Sequence, residues 1–151
     1  MSADVVRAVK RALVAQMEAL RDEVKQLAEP LSEERFWKKP AEPGNSFGHL
    51  VLHLTGNLSH FVGARLGNTG YVRDREREFT EASVPTKAAA LAKLDEAVAV
   101  YRRVVESLPA ESLAGAHPDG EKMGSVVNAL TKVLAHFALH RGQLSYIARL
   151  V

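Results

Sequence analysis

Six histidines, at 49, 53, 60, 117, 136 and 140, are the residues of this sequence best able to do chemistry, and their spacing is uneven. His136 and His140 stand four positions apart in HFALHRGQ (136–143). On a helix that is one turn, so both rings project from the same face. Two neutral imidazoles placed this way suit zinc, nickel or iron. Two ligands alone hold a metal weakly, so a third is required. The stretch SFGHLVLHLTGNLSHF (46–61) strings His49, His53, Asn57 and His60 along one side at steps of four, four and three. Facing helices of a bundle are a common place to build such a site. Three histidines plus a water leave an open position, the arrangement of catalytic rather than structural zinc. The bland alternative stays open: histidines at this spacing also occur as hydrogen-bonded core side chains.

Phe137 occupies the position where the zinc-protease helix motif carries its glutamate base, so peptide hydrolysis by that scheme is excluded. His117 precedes Pro118 in a polar stretch and reads as solvated; His60, followed by Phe61 and Val62, reads as an edge residue. His49 is ambiguous between support of a ligand and the surface. The chain has no cysteine, so a metal site must draw on His, Asp or Glu. Absence of cysteine also fits a reducing, cytoplasmic setting. No basic segment followed by an apolar run marks a secretory signal, and no charge-free stretch is long enough for a bilayer. The net charge is +2, with basic and acidic residues interleaved. That pattern argues against nucleic acid as a partner.

The elements that must position the histidines are helical. The 151 residues fit one domain, 1–151. Val5, Val6, Val9, Leu13, Met17, Leu20, Val24 and Leu27 predict a helix over 3–28, capped by Ser2 or Asp4 and stopped by Pro30. SEER (32–35) suggests a short turn, and Pro40, Pro43 and Gly44 a loop. A second helix runs from the N-cap Ser46 to about Leu66, ended by Gly67, Asn68 and Gly70. A third is expected from about Pro85, as first helical residue, to Leu108, and a fourth from Ser125 to the end. No run alternates with period two. The expected fold is therefore all-α, a four-helix bundle. The fourth helix is apolar nearly all the way round, and Ala138, Gly142 and Ser145 form a small-residue strip on it. Burial on more than one side implies either a homodimer or cover from the irregular connections.

Taken together, NSFGHLVLHLTGNL (45–58), RDREREF (73–79) and HFALHRGQLSYIARL (136–150) resemble the DinB/YfiT-like metal-binding four-helix bundles, and within them a subgroup of small bacterial proteins. Order and separation match too, so the resemblance covers most of the chain. It implies a divalent metal held by His53, His136 and His140. Gln143 and Asn57, each about one turn beyond a ligand, are candidates to orient a ligand or water, or are satisfied polar core residues. Metal identity among zinc, nickel, copper and iron stays open. The resemblance further implies a metal-dependent enzyme, either a transferase using a low-molecular-weight thiol or a hydrolase acting on a small-molecule substrate. A non-catalytic module binding metal or a small ligand, and a dimeric structural bundle with core histidines, stand beside it. The charged segment 71–79 is too long for a mere connection. Arg73, Arg75, Glu76 and Glu78 either close over the metal, bind an acidic substrate, or form a solvated face. Glu76 and Glu78 are candidate bases only if this segment folds over the site.

Overall fold

The computed structural model describes residues 2–151. Among the described residues, each α-helix of five residues or more opens on a serine or threonine whose side chain accepts a backbone N–H, which satisfies orphan donors locally. Ser2 caps α1 (Ala3–Ala28), Ser32 caps α2 (Glu33–Trp37), and Ser46 caps α3 (Phe47–Leu58). After α3 the same rod continues as a π-helical turn, Ser59–Ala64, and a last turn α4 (Arg65–Gly67). Asn68, in the left-handed region at φ 54°, ends it. The charged segment holds a short helix, α5 (Arg77–Thr80). Thr86 caps α6 (Lys87–Ser107), and Ser125 caps α7 (Val126–Leu150). Between α6 and α7 lie two 3₁₀ turns, Ala110–Ala114 and Gly120–Lys122. No strand occurs among the described residues, only an isolated bridge between Ala116 and Ser125.

Two boundaries differ from expectation. Pro85 lies before the N-cap rather than at the first helical position, because Thr86 supplies the side-chain acceptor that proline lacks. The second helix is not uniformly α-helical: one wider turn is inserted where SHFVGA reads as unbroken apolar helix.

The fold is a four-helix bundle. Helices α1 and α3 each pack on both α6 and α7, so α1 and α3 lie on one diagonal and α6 and α7 on the other. The interior is filled by side chains such as Met17, Leu54, Leu94, Tyr101, Leu130 and Phe137, all essentially inaccessible. Each large apolar side chain buried this way stabilises the fold by about 1.5–3 kcal/mol. Cations close the helix ends: Lys10 donates to the carbonyls of Glu106 and Leu108 at the end of α6, and Lys87 to those of Glu29 and Leu31 after α1. On α7, Val133, Phe137, Leu144 and Ile147 face inward, whereas Leu139, Tyr146 and Leu150 are more than half exposed. The irregular connections therefore do not cover the outer apolar face of this helix. No helix among the described residues is long and apolar enough to cross a membrane.

Candidate metal centre

Helices α3 and α7 are neighbours, and that adjacency brings His53 against the pair on α7. The Nε2 atom of His136 lies 3.0 Å from Nε2 of His53 and 3.1 Å from Nε2 of His140. Among the described residues these three are the one group of His, Asp or Glu side chains close enough to share an ion, with ligand atoms all within 4.8 Å of one another. Ligands about 2.05 Å from a tetrahedral zinc stand roughly 3.3 Å apart, so the two short separations need to open by only a few tenths of an ångström.

Tautomers follow from what holds each ring from behind. His53 Nδ1–H donates to Glu78 Oε2 at 2.8 Å. Ionised Glu78 can only accept, so the proton sits on Nδ1 and the Nε2 lone pair is left facing inward. His140 Nδ1–H donates to Gln143 Oε1 at 2.7 Å, with the same consequence. Two lone pairs thus converge on a third imidazole, a donor set made for a cation. The Nδ1 atom of His136 is buried without a hydrogen-bond partner among the described residues.

Electrostatics agree with the tautomers. Burial works against the Glu78 carboxylate, yet hydrogen bonds from His53 and Arg73 outweigh it and hold its pKa below the ordinary carboxylate value. Arg73 grips both oxygens, Nε on Oε1 at 2.7 Å and Nη2 on Oε2 at 2.9 Å. Burial, then the neighbouring His140 and His53, then Arg73 and Arg75, push the pKa of His136 down to about 4. Burial lowers His140 as well, partly offset by Gln143. Both rings are therefore neutral near pH 7, the protonation state a ligand needs.

The charged segment folds over α3 and is not simply a solvated face. Glu78 is buried and Arg73 half-buried, while Glu76 and Arg75 are exposed. Glu78 is no free base, since both its oxygens are taken by His53 and Arg73. Gly56, one turn after His53, makes this closure possible: a Cβ there would stand 1.9 Å from Glu78 Oε1. Sequence reasoning missed this glycine, although a glycine within an apolar helix next to a candidate ligand is a signal of close approach.

The remaining histidines play other parts. His117, expected to be solvated, is 1 % exposed. Its Nε2–H donates to the Phe61 carbonyl in the π turn at 3.0 Å, and its Nδ1 accepts from the Asp119 amide at 3.1 Å. The polar loop around it folds back on the π turn, whose wider spacing exposes a carbonyl that a side chain must satisfy. His49 is neither surface nor ligand support. It is buried, receives a hydrogen bond from the Ser46 hydroxyl at 2.6 Å, and donates to the Glu81 carbonyl at 3.0 Å. His60 sits half-buried at the edge of the π turn, 3.4 Å from Asp119. Asn57 is buried and makes no hydrogen bond to His53, His136 or His140; it lines a cavity of about 270 Å³ beside His53 and His136.

A bundle whose facing helices bring three imidazole nitrogens together, two of the rings fixed from outside, belongs to the class of histidine-lined four-helix bundles. A family model described as Mycothiol-S-transferase matches residues 12–150, and the chain belongs to that family. Among solved structures it is similar to a conserved protein from Enterococcus faecalis (TM-score 0.77, 15% identity, 93% of this chain and 95% of that one). It is also similar to YfiT from Bacillus subtilis (TM-score 0.74, 18% identity, 99% of this chain and 89% of that one). YfiT is described as a probable metal-dependent hydrolase with an unusual four-helix bundle topology. At these identities the likeness speaks for the fold alone. No curated protein matches.

Proposed function

We propose that His53, His136 and His140 hold a divalent metal and that the protein transfers a low-molecular-weight thiol of the mycothiol kind to a small electrophile. The observation that carries this reading is the convergence of three Nε2 atoms, two of whose rings, His53 and His140, are anchored from behind by Glu78 and Gln143. A bound divalent cation supplies positive charge at an open position, lowering the pKa of a thiol or water there. The chain's own residues do the rest. Glu78, clamped by Arg73, keeps the proton of His53 on Nδ1, and Gln143 does so for His140. In the overall reaction the thiol sulfur forms a bond to the electrophilic carbon, the leaving group departs with its electron pair, and the thiol proton passes to solvent.

A thiol is favoured over water as nucleophile by one feature. The nearest carboxylate, Glu78, is fully engaged, so no free general base stands at the site among the described residues. A thiol, with an ordinary pKa of about 8.5, needs only the cation to ionise at neutral pH. Hydrolysis is the second reading. The proposal includes a homodimer through the exposed Leu139, Tyr146 and Leu150 and the small residues Ala138 and Gly142 of α7.

Elemental analysis and a thiol assay test this together. Purified untagged protein is expected to carry near one metal per chain, and His53→Ala much less. Metal-loaded protein is expected to speed disappearance of the thiol in the presence of chloroacetamide, and chelation to abolish the acceleration. Absence of metal after incubation with zinc or nickel would make the histidines core residues. Metal without thiol consumption would move the reading to ester hydrolysis or to a binding module. Sedimentation of Leu139→Glu against wild type tests the dimer.

A further inference from the structure

The cavity of about 270 Å³ that exposes His53 and His136 is lined by four cations, Arg73, Arg75, Lys122 and Lys132, and by no acid. This is local, because the chain as a whole balances 20 basic against 18 acidic residues. Elsewhere about half of the cations pair with carboxylates, as in Lys25–Asp95, Arg65–Asp119 and Arg102–Glu18. Here only Arg73 is spent, on Glu78. Arg75 lies 5.5 Å over the Phe79 ring, and Lys132 donates to the Lys122 carbonyl at 2.7 Å, which holds it at the rim. Neither of these, nor Lys122, pairs with a carboxylate among the described residues. The cations come from three separate parts of the chain: the charged segment, the second 3₁₀ turn and α7. The neighbouring cavity on the far side of Glu78 is mixed, lined by Asp74, Glu78 and Glu81 as well as Arg77 and Lys93. A basic surround is thus not a general property of the charged segment.

We infer that the electrophile taken by this site is a small organic anion, its negative group held by Arg75, Lys122 and Lys132 while its reactive carbon faces His53 and His136. The inference rests on the transferase reading for its chemistry, but anion capture by these side chains does not depend on turnover. The volume lies just below that of drug-sized pockets, about 300–1,000 Å³, which restricts the occupant to a small acid. A cleft carrying one sign of charge also concentrates such an anion before it binds.

The test is calorimetric titration of malonate and of malonamide, similar in size and unlike in charge, into metal-free and zinc-loaded protein. Malonate is expected to bind both forms, more tightly with zinc, and to weaken with added salt; malonamide is expected not to bind. The variant Lys122→Ala with Lys132→Ala, both exposed positions, is expected to bind malonate about tenfold more weakly, the order for two exposed charge contacts. Thiol transfer to chloroacetate should then lose more efficiency in that variant than transfer to chloroacetamide does. Equal affinity for malonate and malonamide would overturn the inference. So would malonate binding that needs zinc and ignores both lysines. If zinc itself fails to load, malonate binding by the metal-free protein still decides the question separately from the metal proposal.

Discussion

Two sets of histidines sit wholly or partly inside this bundle, and they differ in where the second ring nitrogen goes. His49 and His117 spend both nitrogens on the protein: a hydroxyl and a carbonyl for one, an amide and a carbonyl for the other. His53 and His140 spend one nitrogen on a side-chain acceptor and turn the other toward His136. Buried histidines occur in both sets, His53 in one and His49 and His117 in the other, so burial of a histidine says little about function. What separates a candidate ligand from a strut is an inward lone pair facing other imidazoles rather than a backbone or hydroxyl donor.

The largest expected effect breaks the comparison directly. His140→Ala is expected to abolish stoichiometric metal binding while helicity by circular dichroism is kept; His117→Ala is expected to retain one metal per chain. Retained binding in the first variant, or its loss in the second, would reverse the assignment of the two sets. Next comes Glu78→Gln, which keeps the shape and removes the charge behind His53. Metal affinity should fall about 10–100-fold, the usual range for a lost ligand-orienting partner, as measured by competition with a chelating dye. Gly56→Ala should act the same way, because the added Cβ must displace a carboxylate already fixed by Arg73 and His53.

His117→Ala should cost stability instead, about 1–3 kcal/mol for stranding the buried Phe61 carbonyl, read from urea denaturation. The smallest effect is on pH. In metal-free protein His136 has its pKa lowered from 6.5 to about 4. Between these values the unfolded chain binds a proton that the folded one refuses. This contribution to stability is therefore full above about pH 6.5 and is lost as pH falls toward 4. Melting temperature of the metal-free protein should drop over that window, and less steeply in His136→Ala. Equal slopes in both would remove His136 as the cause.

Much of this architecture was legible in the residues. Apolar spacing and capping serines place α1, α3 and α7 within a residue or two, because capping is local and needs no partner element. Pro85 misled by two residues, since it and Thr86 are both acceptable near a helix start and only the observed N–H bond decides between them. The π turn left no trace, because inserting one residue into a helix changes register without requiring a particular side chain. His117 and Glu78 were the harder cases. A polar loop and a charge run look solvated until another segment folds onto them, and that packing is non-local.

By itself, then, the sequence determined the four helices and the one-turn spacing of His136 and His140, both consequences of helical periodicity. It also fixed that only His, Asp or Glu were available to hold a metal, since there is no cysteine. The family resemblance of the sequence pointed to His53 as the histidine of α3 that meets the pair, but tertiary structure alone decided that Glu78 rather than Asn57 stands behind it, and that Arg75, Lys122 and Lys132 share one cavity. The physical reason is range. Periodicity and capping act over about four residues, whereas the site is assembled from side chains 83 positions apart whose relative rotation is set by how the bundle packs.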